Sequence, residues 1–281
     1  MRAQLILTPQ ESKRLVAKAI VRMGVVQDAL REGIVIISVG TTCLCVLEEL
    51  LKQSLSPVEN YLSGIILPQR TCSCSAMRSR VSGREHAPFW AFQKGQMISS
   101  ASLRGLLSRM TSSDVFIKGA NALDPTGKAG VLLGSSTGGT IGIAVPIIAA
   151  RGISLIVPVG LEKMIPTPIE VATKEAGIQR MNYSMGLPVG LIPLRGTVVT
   201  EIEAIEILTG AQAIPIAAGG ICGAEGSVVL VVKGSNEQVK QAITLMEGIA
   251  GEKGRQIEAP DCTKCSTLTC PYTKRDSLIS S

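Results

Sequence analysis

Three apolar runs that each close on glycine constrain this chain more than any other feature. They are "IVIISVG" ending at Gly40, "DVFIKG" ending at Gly119 and "ISLIVPVG" ending at Gly160. A strand with one wet face alternates apolar and polar residues. These runs do not, so they read as strands covered on both faces. A fourth short run at residues 131–133 leads into a glycine-rich loop. Helical segments follow: "CLCVLEELLKQ" after Gly40, residues 141–150 after "GSSTGGT", and "LEKMIPTPIEVATKEAG" after Gly160. That alternation predicts an α/β fold, a mostly parallel sheet flanked by helices.

The ends of the chain differ from this middle. Thr8-Pro9-Gln10-Glu11 has the form of a capping box with proline in the first turn. Leu15, Val16, Ala19, Ile20 and Met23 then share one face, which predicts a helix to about Leu30. Beyond Gly196, "TVVT", "EIEAIEILTG", "AIPIAAGG", "SVVLVVKG" and "SNEQVKQAITLMEGIAG" read as β-α-β-β-α, with Ser235 capping the last helix. The expected organisation is an α/β domain over residues 1–195, a smaller ferredoxin-like α+β subdomain over 196–257 and a cysteine-bearing tail over 258–281.

Composition narrows the function classes. Hydrophobic residues make up 46% and charged residues 18%, so a well-buried core is expected. Aromatics are only 2%, which argues against base stacking and hence against nucleic acid as a partner. The net charge of +6 is scattered; its densest stretch, Arg78 to Arg84, reads as a solvated loop or, failing that, a contact for a small anion. The most apolar window, residues 141–161, is broken by Pro146, Arg151, Gly152 and Pro158, so no membrane span is expected. The opening "MRAQLILTPQESKRL" lacks the apolar centre of a secretory signal. A cytoplasmic location follows as the expectation, and the eight cysteines read as thiols or metal ligands rather than disulfides. Residues 54–100 show no clear period, and a segment this long commonly covers or lines a site.

Ligands of open α/β sheets bind beyond the carboxyl ends of the strands. Three glycine-bearing loops follow strands here, at Gly40, Gly119 and Gly134. If the strands are neighbours, the loops converge. Gly40, Thr41, Thr42, Gly119, Asn121, Lys128, Ser135, Ser136, Thr137, Gly138 and Gly139 then form the candidate ligand-binding set. Their hydroxyls, backbone N–H groups and ammonium suit a phosphate or carboxylate. The candidate catalytic residues are Lys118, Asp124 and Glu162. The competing reading is that the glycines only make turns, that Lys118 ends a strand in water and that Glu162-Lys163 is a solvated pair. His86, the one histidine, reads as a plain loop residue, and Glu225 in "GAEG" as a hairpin-turn residue. No serine has a recognisable His–Asp companion.

"GIVIISVGTT", "DVFIKGANALDPTGKAG" and "GSSTGGTIG" together resemble the superfamily of ribose-5-phosphate isomerase, glucosamine-6-phosphate deaminase and CoA transferases. "VPVGLEKMIPT" is similar to a stretch of the related lactate-utilisation domain. The resemblance spans about two-thirds of the chain through short motifs. It implies a Rossmann-like core with a ferredoxin-like lid, a homo-oligomer, and a pocket for a small anionic metabolite: a sugar phosphate, a carboxylate or a CoA-type ligand. Gly40, Thr41 and Thr42 match the phosphate-binding turn, and Asp124 matches the later aspartate of the second motif, where Asn121 replaces the earlier one. The isomerase general base is a glutamate just after the glycine-rich loop, and this chain has no glutamate between Asp124 and Glu162. The resemblance therefore implies the pocket and not the isomerase reaction, which leaves a non-catalytic sensor or interaction protein as the alternative to an enzyme.

Cys262, Cys265 and Cys270 form C-x2-C-x4-C followed by Pro271. Thiolates so spaced can share one metal centre, either a [4Fe–4S] cluster with one open iron or a zinc ion. Cys72, Cys74 or Cys222 would supply a fourth ligand. The competing reading is a tail with free thiols. Cys43 and Cys45, on the helix after Gly40, are expected to be core packing.

Overall fold

The computed structural model describes residues 1–62, 66, 89–98 and 101–255. Arg78 to Arg84, His86, Cys72, Cys74, Cys262, Cys265 and Cys270 lie outside them. In chain order the strands are β1 (Arg2–Leu7), β2 (Ile34–Ser38), β3 (Phe89–Gln93), β4 (Gln96–Ile98), β5 (Val115–Ile117), β6 (Ala122–Leu123), β7 (Ala129–Leu133), β8 (Ser154–Pro158), β9 (Gly190–Leu194), β10 (Thr197–Val199), β11 (Gln212–Gly219) and β12 (Ser227–Lys233). The α-helices are α1 (Pro9–Ile20), α2 (Gly24–Glu32), α3 (Thr41–Leu51), α4 (Leu103–Leu107), α5 (Gly139–Arg151), α6 (Ile169–Glu175), α7 (Glu201–Thr209) and α8 (Asn236–Ile249). Among the described residues no helix is long and apolar enough to cross a membrane.

The fold is α/β, and its principal sheet is mixed. The strand order is β10-β8-β5-β2-β3-β4. β10, β8, β5 and β2 run parallel, as the unbroken apolar runs of β8, β5 and β2 predict. β3 and β4 extend the sheet antiparallel, joined through Lys94 and Gly95, both with positive φ, the backbone of a tight hairpin. The other strands form two antiparallel sheets, β1-β12-β11 and β6-β7-β9.

Side chains of the parallel strands feed two cores in alternation. Val35, Ile37, Val115, Ile117 and Ile156 enter one, and Ile34, Ile36, Phe116, Leu155 and Val157 enter the other. Period-two alternation with both faces covered explains why the sequence shows no polar face. The first core is shared with α1, α3, α7, α8 and the sheet β1-β12-β11; the second is covered by α4 and α5.

Two expectations need correction. The helix expected to reach Leu30 breaks after Ile20. Arg22 and Met23 donate their N–H groups to Ala19 and Ile20 carbonyls, a tightened last turn, and extended Met23 starts α2. The strand expected to open a ferredoxin-like unit, β10, pairs instead with β8 in the principal sheet, and β1 takes the place beside β12. The antiparallel sheet thus draws strands from both ends of the described chain. The segment after α8 is fastened by a partly buried cluster: Glu48 accepts from Arg14 (2.7 Å) and Arg255 (2.7 Å), and Arg14 also reaches Glu252 (2.8 Å).

Candidate functional site

β2 and β5 are adjacent and parallel, yet the helices that come after them pack on opposite faces. Cys43, Leu44, Val46 and Leu47 of α3 belong to the first core, whereas Ile141, Ala144 and Ile148 of α5 belong to the second. Where neighbouring strands send their connections to opposite sides, a crevice opens at their carboxyl ends. The candidate site lies there.

From β2, the chain turns at Gly40, whose φ of 152° only glycine adopts readily, and enters α3. No side chain caps this helix, so its first-turn N–H groups are left for another acceptor. Thr42 is buried, and its Oγ1 has no hydrogen-bond partner. Cys43 is fully buried, and its Sγ accepts the Gly119 N–H at 3.3 Å, which ties the β2 loop to the β5 loop. Burial pushes the Cys43 thiol up, against the nearby Lys118 and Lys163 charges.

Lys118 leaves the end of β5, its N–H donating to the Ile156 carbonyl at 3.0 Å. Its side chain is half-buried. Among the described residues no hydrogen bond or ion pair reaches its ammonium. Burial holds its pKa below the usual lysine range, only partly opposed by Cys43.

The third arm comes from β8. After Gly160, residues Leu161–Lys163 form a single 3₁₀ turn. The Leu161 N–H donates to the Glu201 carboxylate (2.9 and 3.2 Å), and Lys163 Nζ donates to the Ala120 carbonyl at 2.8 Å. The turn is thereby held between α7 and the β5 loop. Burial lowers the Lys163 pKa; Glu162 opposes this, and Lys13 and Lys118 add to it. Glu162 folds back over Gly160, where any Cβ would collide with its carboxylate. Both Glu162 oxygens are buried without a hydrogen bond, and Lys13 Nζ stands 4.0 Å away. Glu201 is completely buried, which raises its pKa to about 7, against hydrogen bonds from Ser12 and Leu161 and with the help of Glu162.

Of the residues expected at the site, the fold brings together Gly40, Thr41, Thr42, Lys118, Gly119 and Glu162. The loop from Ser135 to Gly139 follows β7, which belongs to the sheet β6-β7-β9, while β8 supplies an arm from the principal sheet. Within that loop Ser135 and Thr137 bond each other at 3.1 Å, and Ser136 is exposed. Asn121 Oδ1 accepts the Leu132 N–H and braces the β6–β7 hairpin. Lys128 is exposed and paired with Glu170 at 2.7 Å. Asp124 is buried at the turn of that hairpin. Burial would raise its carboxyl, but hydrogen bonds from Thr126, Ile169 and Lys128 outweigh this and hold it at about 2. Its oxygens are engaged in fastening the hairpin to α6. Cys222 is exposed, and Glu225 accepts the Gly223 N–H within its own hairpin. Among the described residues no group of three or more His, Cys, Asp or Glu side chains could hold a metal.

Sequence reasoning missed Lys13, Glu201 and the polar side of Cys43. Lys13 sits on an amphipathic helix and Glu201 in a capping position, so each had a sufficient local explanation. Only the strand order shows that α1 and α7 reach this edge. No protein-family model, curated protein or solved structure matches the chain.

A surface cleft of about 540 Å³ opens at the amino end of the same strands, where Asp28, Glu32, Arg109 and Asp114 are among its lining residues. Asp114 is already saturated by Ile34 and Thr111. The cleft therefore lacks unpaired buried groups, and the carboxyl edge has several.

Proposed function

We propose that the chain binds a small anionic metabolite, a sugar phosphate, carboxylate or CoA-type ligand, at the carboxyl edge of β2, β5 and β8. The observation that carries this reading is a surplus of buried positive charge. Lys13 and Lys163 lie beside Glu162, Lys118 lies beside Lys163, and Glu201, raised to about 7, is only partly ionised near neutral pH. Buried cations without counterions are costly, and an anion supplied by a ligand removes that cost. The uncapped first turn of α3 and the unpartnered Thr42 hydroxyl give the same anion directional donors.

Glu162 also supplies the carboxylate missing from the glycine-rich loop, which favours an enzyme over a passive sensor. The resemblance to the isomerase, deaminase and CoA-transferase superfamily belongs to this proposal, as do a homo-oligomer and a tail metal centre, a [4Fe–4S] cluster or zinc, on Cys262, Cys265 and Cys270. Metal analysis after anaerobic purification tests the tail; metal-free, colourless protein of undiminished stability removes it. A thermal-shift screen of sugar phosphates, carboxylates and acyl-CoA compounds tests the pocket. A ligand at a hundred times its Kd stabilises by about 2.7 kcal/mol. At roughly 2–4 °C per kcal/mol the shift is easily read. Lys118→Met should abolish it, and a shift that survives this change places the ligand elsewhere.

A further inference from the structure

We propose that Lys118 condenses with a carbonyl group of the bound anion, so that the ligand class is a small carbonyl-bearing anion held as an imine. The proposal rests on the anion reading above and narrows it.

Three cationic side chains converge at this edge, and their surroundings divide the work. Lys163 is committed: its ammonium donates to the Ala120 carbonyl. Lys13 is committed to Glu162, 4.0 Å away. Lys118 alone has no partner among the described residues, and it is half-buried. It stands at the seam where the β2 and β5 loops are joined by the Gly119–Cys43 contact, beside the uncapped end of α3. An anion held at the uncapped end of α3 would lie beside this amine.

An amine that attacks a carbonyl must be unprotonated part of the time. Desolvation and nearby cations both favour the neutral form. Burial acts on Lys118 in that direction, with only the buried thiol of Cys43 on α3 acting the other way. The Lys163 cation, on the turn after β8, interacts with Lys118 electrostatically.

The step balances without a redox partner. The Lys118 Nζ lone pair forms the C–N bond and the carbonyl π bond opens to a carbinolamine. The oxygen then leaves as water with both nitrogen protons, and the C=N bond forms. A hydride reagent added from outside reduces that imine to a stable secondary amine.

The test incubates the full chain with pyruvate or glyceraldehyde phosphate, then adds sodium borohydride and maps the modified peptides by mass spectrometry. Lactate and glycerol phosphate, anions of similar shape without a carbonyl, run in parallel, and thermal shifts are recorded for all four. The expected result is a borohydride-dependent adduct on Lys118 with at least one carbonyl probe. Its reduced counterpart should give a thermal shift and no adduct. Lys118→Arg should keep the shift and lose the adduct completely. Because the map is read on unaltered protein, the outcome stands even if that variant fails to fold. An adduct confined to other lysines, or none with either probe, overturns the imine. If thermal shifts persist in that outcome, the anion reading survives; if none of the four anions shifts the protein, both fall.

Discussion

Desolvation moves Lys118 and Glu201 in opposite directions, the lysine down and the carboxyl up. Glu201 fixes the Leu161 N–H, and its pKa stands at about 7 against an ordinary value of 4.5. The folded protein therefore holds the proton more tightly than the unfolded chain does. The associated stabilisation is complete below the unfolded value and is lost as pH rises through the folded one. Stability should decline between about pH 4.5 and 7 from this group, and Glu201→Gln should flatten that decline in urea unfolding series. An unchanged slope would show that Glu201 does not titrate there. Asp124 works with the opposite sign in a lower window: its contribution is lost as pH falls from 3.8 to about 2, so the two groups do not mask each other.

At the scale of elements, the turn after β8 is the part most dependent on one residue. Gly160 leaves room for Glu162 to fold back, and a methyl group there must displace the carboxylate or the backbone. Gly160→Ala should cost about 1–3 kcal/mol, as overpacked sites do, measured by urea unfolding. A cost near zero would mean that Glu162 moves out freely and is not part of the cluster. Ser235 heads α8 with a capping box, and Ser235→Ala should cost about 1 kcal/mol while leaving ligand shifts untouched.

Legibility followed the same scale. Strands with buried faces and helices with caps were readable, because the periods of burial and the cap chemistry are local. The β2 and β5 arms were readable too, since each carries a glycine, a hydroxyl or a lysine at the strand end. The arm after β8 was less legible: Glu162 is a candidate in the sequence, but Glu162-Lys163 look like a solvated surface pair until β8 is placed beside β5. Pairing partners across tens of residues are set by packing, which no local pattern encodes.

For the whole molecule, the interleaving of segments from the two ends of the described residues matters most. β1 pairs along its whole length with β12, α1 packs into the same core as α7 and α8, and β10 is lent to the principal sheet. Residues 196–257 expressed alone lack β1, α1 and the neighbour of β10. They should show no cooperative thermal transition, and a sharp transition would restore them as an independent unit. The arrangement also explains how Lys13 and Glu201, far apart in sequence, meet at a single edge. On the proposed reading, a ligand is the counterion of the lysines at that edge.

The most direct measurement is a crystal structure of the full chain with the anion that gives the largest thermal shift. Density for that anion between Lys118 and the first turn of α3, within reach of Thr42, is the expected result. Density only at another surface, or a carboxyl edge closed by apolar side chains with no room for a guest, contradicts it.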